Sequence, residues 1–218
     1  MKKKSLFVFL MSIVVFGFAA QVHATPISVN FDFRSGPDQL YDKLSITQQG
    51  VTLDVTAFMM NESDDWISVT GSTAGVHHGS DGLGVQLGLG NDSNKLDSAS
   101  NNTGTDRDEG LLFSFDTNVK LTYIDFASFG VGDSFNLDVD GNNELTDFRS
   151  TTSSGRTIGD YQFAGYEGSQ FFIWADDSTD AFSIEQIAIE FDVVPVPLPS
   201  TVLMMIAGLI ALRHNMKK

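Results

Sequence analysis

Apolar residues recur at every second position along most of the chain between residues 25 and 193, and this period constrains the fold most. A β-strand points successive side chains to opposite faces, so the pattern predicts strands with one face in a core and one in water. Glycine, Asn and Asp fill the gaps between the apolar sets, as expected for turns, and we find no convincing amphipathic helix of three turns. The inward sets of five such strands are Val29/Phe31/Phe33, Val51/Leu53/Val55/Ala57, Val85/Leu87/Leu89, Leu111/Phe113/Phe115 and Phe135/Leu137/Val139.

Two further strands change the parity of their inward set midway. One lies between Val119 and Phe129, and the other between Asp180 and Val193. A slip of one residue would turn a whole apolar set toward water, so we expect a β-bulge near Thr122–Tyr123 and another near Glu185–Gln186. Ten or more short strands predict an all-β fold, an antiparallel β-sandwich of jelly-roll type.

Two segments depart from simple alternation. Phe171–Trp174 is apolar at every position, which predicts a central strand or one that a loop covers. Asn91–Gly110 is almost entirely polar. A structureless loop of this length in a compact domain is usually functional or mobile.

Charge is distributed unevenly along the chain. All 28 Asp and Glu lie between residues 25 and 193, together with seven of the 13 Lys and Arg, so this body carries a net charge of −21. Such a surface repels phosphate backbones and anionic lipid, which excludes nucleic-acid binding, and it attracts divalent cations. Solubility alone explains most of the acids. The chain has no cysteine, which excludes disulfides, a cysteine nucleophile and a cysteine-ligated metal.

The first 24 residues have the parts of a secretory signal peptide in order. Lys2–Lys4 is a positive segment, Leu6–Ala20 is apolar, and Val22-His23-Ala24 places small residues at a cleavage site. We therefore expect signal peptidase to cut after Ala24; the alternative is an uncleaved anchor.

The last 25 residues also fall into three parts. A proline-spaced segment, 194–200, precedes an apolar run, 201–212, and a basic end, 213–218. Twelve helical residues cover about 18 Å, against a hydrocarbon core of roughly 30 Å. The run spans a membrane only where the bilayer thins or where its flanks lie in the interfaces. We expect a short transmembrane segment with its basic end in the cytoplasm, and domains at 1–24, 25–193 and 194–218.

The residues before the apolar run carry a family resemblance. Val196-Pro197-Leu198-Pro199-Ser200, with the run and the basic end, resembles the PEP-CTERM sorting signal of exported Gram-negative proteins, in its Val-Pro-Leu-Pro-Ala variant. Leu198 stands where the family has glutamate, and Ser200 where the variant has alanine. The resemblance implies that the chain is the substrate of an exosortase, which releases the body or transfers it to the surface after a transient stay in the inner membrane. The alternative is a plain anchor with a proline-rich stalk.

A second resemblance covers roughly residues 82–191. The run Gly82-Leu83-Gly84-Val85, the acid-bearing loop, and Glu109 before Leu111 and Phe113 are similar to the body of many proteins with this tail. It implies a sandwich without a catalytic residue.

Calcium is the most specific cofactor hypothesis, although none is required. The segment 136–147 approximates a calcium-binding loop, with Asn136, Asp138, Asp140 and Asp147 as oxygen ligands and Gly141 at the turn. The alternative is a hairpin in which Asn136 and Asp138 point outward and Asp140-Gly141 makes the turn. A less specific cation set consists of Asp81, Asp97, Asp106, Asp108 and Glu109.

Catalytic patterns are weak. His77 and His78 are adjacent, so in a strand they would point to opposite faces, and we interpret them as loop residues. Carboxylate pairs such as Asp64-Asp65, Asp106-x-Asp108-Glu109 and Asp176-Asp177 are expected by chance in so acidic a chain, whereas a glycosidase needs two facing each other across a cleft.

Sugar binding needs exposed aromatic rings. The candidates are Trp66, Trp174, Tyr161 and Tyr166, with Trp66 foremost because Asp64-Asp65 and Ser68 flank it; the alternative is that all are core residues. The sequence thus predicts a non-enzymatic surface or matrix protein with a structural or adhesive role in extracellular polymer or biofilm, as the family resemblance implies. The alternatives are a calcium-assisted carbohydrate-binding module and, third, a hydrolase of matrix polysaccharide.

Overall fold

The computed structural model describes residues 25–88, 93–98, 107–149, 159–175, 177 and 179–193, together with residues 205, 209 and 213. The chain divides into two compact units, Ile27–Phe191 and the terminal segments Met1–Pro26 with Asp192–Lys218. Every element described in the first unit is a β-strand, which confirms the predicted all-β class. Met205, Leu209 and Arg213, in the second unit, are helical and exposed. Nothing among the described residues forms a helix of the length and apolarity that crossing a membrane requires.

The described residues form 13 strands. They are β1 (Thr25–Asp32), β2 (Gln39–Tyr41), β3 (Leu44–Gln48), β4 (Val51–Met60), β5 (Trp66–Ser68), β6 (Gly75–Gly79), β7 (Gly82–Gln86), β8 (Leu96–Asp97), β9 (Glu109–Ala127), β10 (Phe135–Val139), β11 (Asn142–Phe148), β12 (Asp160–Ala175) and β13 (Ala181–Val193).

The strands join in one large antiparallel sheet, with the main order β11-β10-β12-β9-β13-β7-β6-β2. Strand β9 is its centre. Residues 109–115 of β9 pair with β4, residues 120–127 pair with β13, and β12 lies along the other edge in both halves. Strands β3 and β5 extend the sheet from β4, and β1 and β8 pair with β13.

The inward sets predicted from alternation are buried in a single hydrophobic cluster. Val29, Leu53, Phe113 and Leu137, for example, are no more than 1% exposed. The prediction is therefore confirmed for the described positions. Leu87 is partly buried and lies just beyond the end of β7, and Leu89 lies outside the described residues.

Both predicted bulges are confirmed. Along β13, Ile184 pairs with Phe126 and Gln186 pairs with Asp125, which leaves Glu185 as the extra residue. Along β9, Thr122 is the extra residue, and its hydroxyl donates a hydrogen bond of 3.1 Å to the Ala188 carbonyl. Each bulge restores the inward set after the change of parity.

The predictions for residues 171–174 and for residues 91–110 have different outcomes. Phe171–Trp174 lies between β9 and β10, so its prediction as a central strand is confirmed. The prediction of one structureless loop over residues 91–110 is wrong in part, because Leu96–Asp97 forms β8 against β13 and Ser98 bridges to Asp108. The fully buried Leu96 side chain anchors this strand in the core. Residues 99–106 lie outside the described residues.

Candidate functional site

Four partly buried aromatic side chains cluster on the side of the sheet that faces away from the core. They are Phe58 of β4, Trp66 of β5, and Phe172 and Trp174 of β12, and we call them the aromatic face. The Trp66 ring centroid lies 4.7 Å from that of Phe172 and 6.0 Å from that of Trp174. Phe172 and Trp174 are stacked at 5.2 Å, and Phe58 meets Phe172 edge-on at 5.8 Å.

Strand register and one glycine bring these rings together. Gly110 of β9 pairs with Phe58 on one side and with Trp174 on the other, so it lies between two aromatic residues. A Cβ atom at Gly110 would lie 2.5 Å from Cζ of Phe172. The missing side chain therefore makes room for the Phe172 ring above the central strand.

The four aromatic residues proposed from the sequence lie in different places: the two tryptophans on the aromatic face and the two tyrosines elsewhere. Trp66 and Trp174 are in van der Waals range of each other on the aromatic face, outside the buried core. Tyr161 is 4% exposed and packs against Phe126 and Phe135, so its interpretation as a core residue is confirmed. Tyr166 is partly buried beside Phe163. The role of Trp66 in ligand binding stays a prediction.

Carboxylates lie beside the aromatic face in sequence and register. Asp64 and Asp65 are exposed in the turn that enters β5, immediately before Trp66. The side chain of Asn61 holds this turn, accepting hydrogen bonds from the backbone N–H of Ser63 at 2.8 Å and of Asp65 at 3.0 Å.

Other charged residues lie on β10 and in the segments between strands. Asp138 of β10 pairs with Phe172, which places both side chains on one side of the sheet. The Arg107 guanidinium lies 4.0 Å from the Glu62 carboxylate and contacts the Met59 sulfur at 3.9 Å. Met59 alternates with Phe58 along β4, so this contact lies on the other side of the sheet from the aromatic face.

The calcium-loop candidates act as hydrogen-bond acceptors within a hairpin. Asp138 accepts from the backbone N–H of Gly141 at 2.6 Å, and Asp140 accepts from those of Ser169 and Gln170 at 3.1 and 2.9 Å. Strands β10 and β11 pair across Asp140-Gly141, as the hairpin interpretation predicts. Within the ranges that the structure describes, no three His, Asp or Glu side chains form a group that could hold a metal ion.

Asn136 departs from the hairpin interpretation, which placed its side chain outward. Its register partner is Trp174, so it lies on the side opposite Phe135 and Leu137, as that interpretation predicts. Its side chain is nevertheless fully buried, so the expected contact with water is wrong. The pairing of β10 with β11 is irregular on both sides of Leu137, and the displaced β11 backbone donates a hydrogen bond from Asp147 N–H to Asn136 Oδ1 at 3.0 Å. This bond ties the buried Asn136 side chain to the β11 backbone.

The structure brings Asp97, Asp108 and Glu109 of the second cation set together, where β8 and Ser98 lie against the start of β9. Asp81 is in the turn before β7, Asp97 is in β8, and Asp108 bridges to Ser98, while Asp106 lies outside the described residues. Glu109 is fully buried at the start of β9 and accepts a hydrogen bond from the Asp97 N–H at 3.2 Å.

The two histidines lie in strand β6, so their interpretation as loop residues is wrong. Glycines at both ends of this short strand resemble turn signals, but β6 pairs with β2 and β7. The ring Nε2 of His77 lies 2.8 Å from Asp38 Oδ1, and that of His78 lies 3.0 Å from the Phe33 carbonyl oxygen. His77, Asp38, Ser80, Asp81 and Lys95 are among the residues that line a polar cavity of about 280 Å³.

A buried carboxylate that the sequence analysis did not single out is Asp180. It is 1% exposed, and it accepts hydrogen bonds from the Ser134 N–H at 2.8 Å, the Ser134 hydroxyl at 3.3 Å and the Asp177 N–H at 3.3 Å. Burial raises the pKa of Asp180 from 3.8 to about 6. The only sequence signal was its position just before the inward Phe182, where a turn ends.

The signals at the two ends fall largely outside the described residues. Ala24 and the motif Val196–Ser200 both lie there, and so does Asp176 of the carboxylate pairs. Comparison with known proteins found no matching family model, no similar curated protein and no similar solved structure.

Proposed function

We propose that this chain is an exported, non-enzymatic protein of the cell surface or extracellular matrix, with a structural or adhesive role in extracellular polymer. The aromatic face carries this proposal. Clustered aromatic rings outside the core suit the apolar face of a sugar ring, because they offer area at little cost in side-chain entropy. Phe58, Trp66, Phe172 and Trp174 supply such a surface on a rigid sheet.

We infer further that the sheet is folded over as a jelly-roll-like sandwich. The support is the change of partner along β9, which pairs with β4 in one half and with β13 in the other. Between these halves Asp116, Thr117 and Asn118 are exposed, while buried residues from both halves belong to one core cluster. A sheet that bends at this point can bury both inner faces against each other.

The location of the protein outside the cell depends on the processing of its two ends. We expect the mature protein to begin after Ala24 and to lack the residues beyond the sorting motif Val196–Ser200, through cleavage by signal peptidase and an exosortase. Intact-mass analysis of protein recovered from the medium or the cell surface measures both cleavages at once. A mature product that still contained residues 204–218 and behaved as an integral membrane protein would contradict the sorting role.

Adhesion is tested by removing one ring of the aromatic face. We expect Trp66→Ala to lower retention on an insoluble polysaccharide about tenfold, because an aromatic contact contributes up to about 1.5 kcal/mol. The matched control is Tyr166→Ala, which removes a partly buried ring that packs against Phe163 elsewhere on β12. Affinity chromatography on cellulose and chitin, with a thermal melt of each variant, measures the effect. Equal retention of both variants would argue against the aromatic face as the contact surface.

The alternative is a calcium-assisted carbohydrate-binding module. Asp140 and Asp147 have exposed side chains next to the β10–β11 hairpin, which favours access by a cation. The same retention assay, run with calcium and with a chelator, distinguishes the two functions: dependence on calcium supports the alternative, and independence supports the structural role.

A further inference from the structure

We propose that the aromatic face binds a cationic polysaccharide, one whose sugar rings carry free amino groups. This inference rests on the proposed adhesive function and names the chemical class of its ligand. It depends on the rings, on the charge around them and on how that charge is distributed.

The rings suit a sugar that carries a positive charge. The faces of Trp, and less strongly of Phe, attract a cation through the negative face of the π-system. Trp66 is perpendicular to Phe172, at an interplanar angle of 82°, and Phe172 is stacked with Trp174 at 21°. The cluster therefore presents ring surfaces in two orientations, which suits a chain of sugar rings with ammonium groups at its edges.

The charges nearby favour the same ligand. Asp64 and Asp65 precede Trp66 directly, and Asp138 pairs with Phe172 on the other side of the cluster. Arg107 contacts Met59, which points to the other side of β4 from Phe58, and the Glu62 carboxylate lies 4.0 Å from its guanidinium. With a net charge of −21 on the body, an anionic polymer is repelled and a neutral one gains nothing, whereas a cationic one is attracted from a distance.

The acids beside the aromatic face are spread along it rather than gathered at one point. Asp64 and Asp65 lie at the start of β5, whereas Asp138 lies on β10, with β4, β9 and β12 between these two strands. Carboxylates at both sides of a row of rings match a polymer that carries one charge on each repeating unit.

The experiment compares chitosan oligosaccharides with their fully N-acetylated counterparts and with a neutral glucan of the same length. Tryptophan fluorescence is titrated on the mature protein at a pH where the amines are protonated. We expect chitosan to bind at least about tenfold more tightly than either uncharged sugar. Asp64→Asn/Asp65→Asn should weaken chitosan binding roughly two- to tenfold and leave the uncharged sugars unchanged, because it removes two exposed ion pairs with the ligand.

The matched control removes two carboxylates elsewhere. Glu167 and Glu190 both pair in register with Lys120, in the half of β9 that does not contact the aromatic face. Glu167→Gln/Glu190→Gln should bind chitosan as the wild type does. An equal loss of chitosan affinity in the two double variants would mean that chitosan is attracted only by the net charge of the protein, and it would overturn the inference. Equal affinity for all three sugars, lost in Trp66→Ala, would also overturn it while leaving the adhesive function intact; no binding to any sugar would overturn both.

Discussion

Replacing Gly82 with alanine is expected to destabilise the body by about 3 kcal/mol or more. Gly82 has a φ of +101°, where an L side chain is strained, and a Cβ atom there would lie 2.4 Å from the Ile184 carbonyl oxygen and 3.1 Å from the Glu185 Cα. These are backbone atoms, which cannot rotate away as a flexible side chain can. Strain of roughly 1–3 kcal/mol from the backbone angle adds to about 1–3 kcal/mol from overpacking. Urea unfolding of the body measures the free energy of unfolding.

Two other glycines separate the strain from the contact. Gly132 has a φ of +109° but no atom within 4 Å of its Cβ position, so Gly132→Ala should show the strain alone. Gly84 lacks a positive φ, but its Cβ would lie 2.2 Å from the Asn94 carbonyl oxygen, so Gly84→Ala should show the contact alone. We expect Gly82→Ala to be the most destabilising of the three. A loss at Gly82 no larger than that at Gly132 would show that the close approach of β13 contributes nothing.

This glycine series also shows which part of the fold was predictable. The alternation that begins at Val85 predicted a strand, because burial of one face repeats every two residues and is visible locally in the sequence. It covers only the end of β7, which begins at Gly82. The need for glycine at positions 82 and 84 comes from distant parts of the chain. The β13 backbone lies close to Gly82, and the segment before β8 lies close to Gly84. Nothing near residue 82 in the sequence indicates that the β13 backbone will lie against it.

The bulges were predictable for the same local reason. A strand whose buried residues change between odd and even positions must contain one extra residue relative to its partner. Both extra residues, Thr122 and Glu185, lie where this change occurs. Strand β8 was not predicted, because two residues carry no period; Leu96 becomes a strand residue through its partner Phe182 on β13. The strand β6 that contains His77 was missed because the glycines at both of its ends resemble turn signals.

The aromatic face was predictable only as separate residues. Trp66 and Trp174 were candidates individually, but they meet because Phe58, Gly110 and Trp174 come into register from three distant parts of the chain. Sequence spacing contains no information on that register. The burial of Asp180 was unpredictable for the same reason, since Ser134, which donates two hydrogen bonds to it, is 46 residues away in the sequence.

Asp180 makes the stability of the body depend on pH between about 4 and 6. Burial raises the pKa of Asp180 from 3.8 to about 6, so over this range the folded chain retains a proton that the unfolded chain has released. Its contribution to the free energy of unfolding is therefore complete below about pH 4 and is lost as pH rises through about 6. A rise of the pKa from 3.8 to about 6 corresponds to a change of about 3 kcal/mol in the free energy of unfolding.

The variant Asp180→Asn tests this contribution. The amide keeps an acceptor for the Ser134 N–H but loses one for the Asp177 N–H, which costs about 1 kcal/mol at every pH. The unfolding free energy of wild type minus that of Asp180→Asn should therefore fall by about 3 kcal/mol from pH 4 to pH 7, from about 1 kcal/mol in favour of wild type to about 2 kcal/mol in favour of the variant. Asp32 shows the opposite shift, since hydrogen bonds from Arg34 lower its pKa to about 2, but it is the same in both proteins and cancels in the difference.

The control for this comparison is Asp177→Asn, which changes an exposed neighbour and leaves the Asp180 carboxyl in place. Its unfolding free energy should keep most of the wild-type dependence on pH. Urea unfolding at a series of pH values measures all three proteins. If wild type and Asp180→Asn gave parallel curves from pH 4 to pH 7, the buried carboxyl would titrate alike in the folded and unfolded chains. In that case the hydrogen bonds from Ser134 and Asp177 would stabilise the carboxylate enough to offset its removal from water.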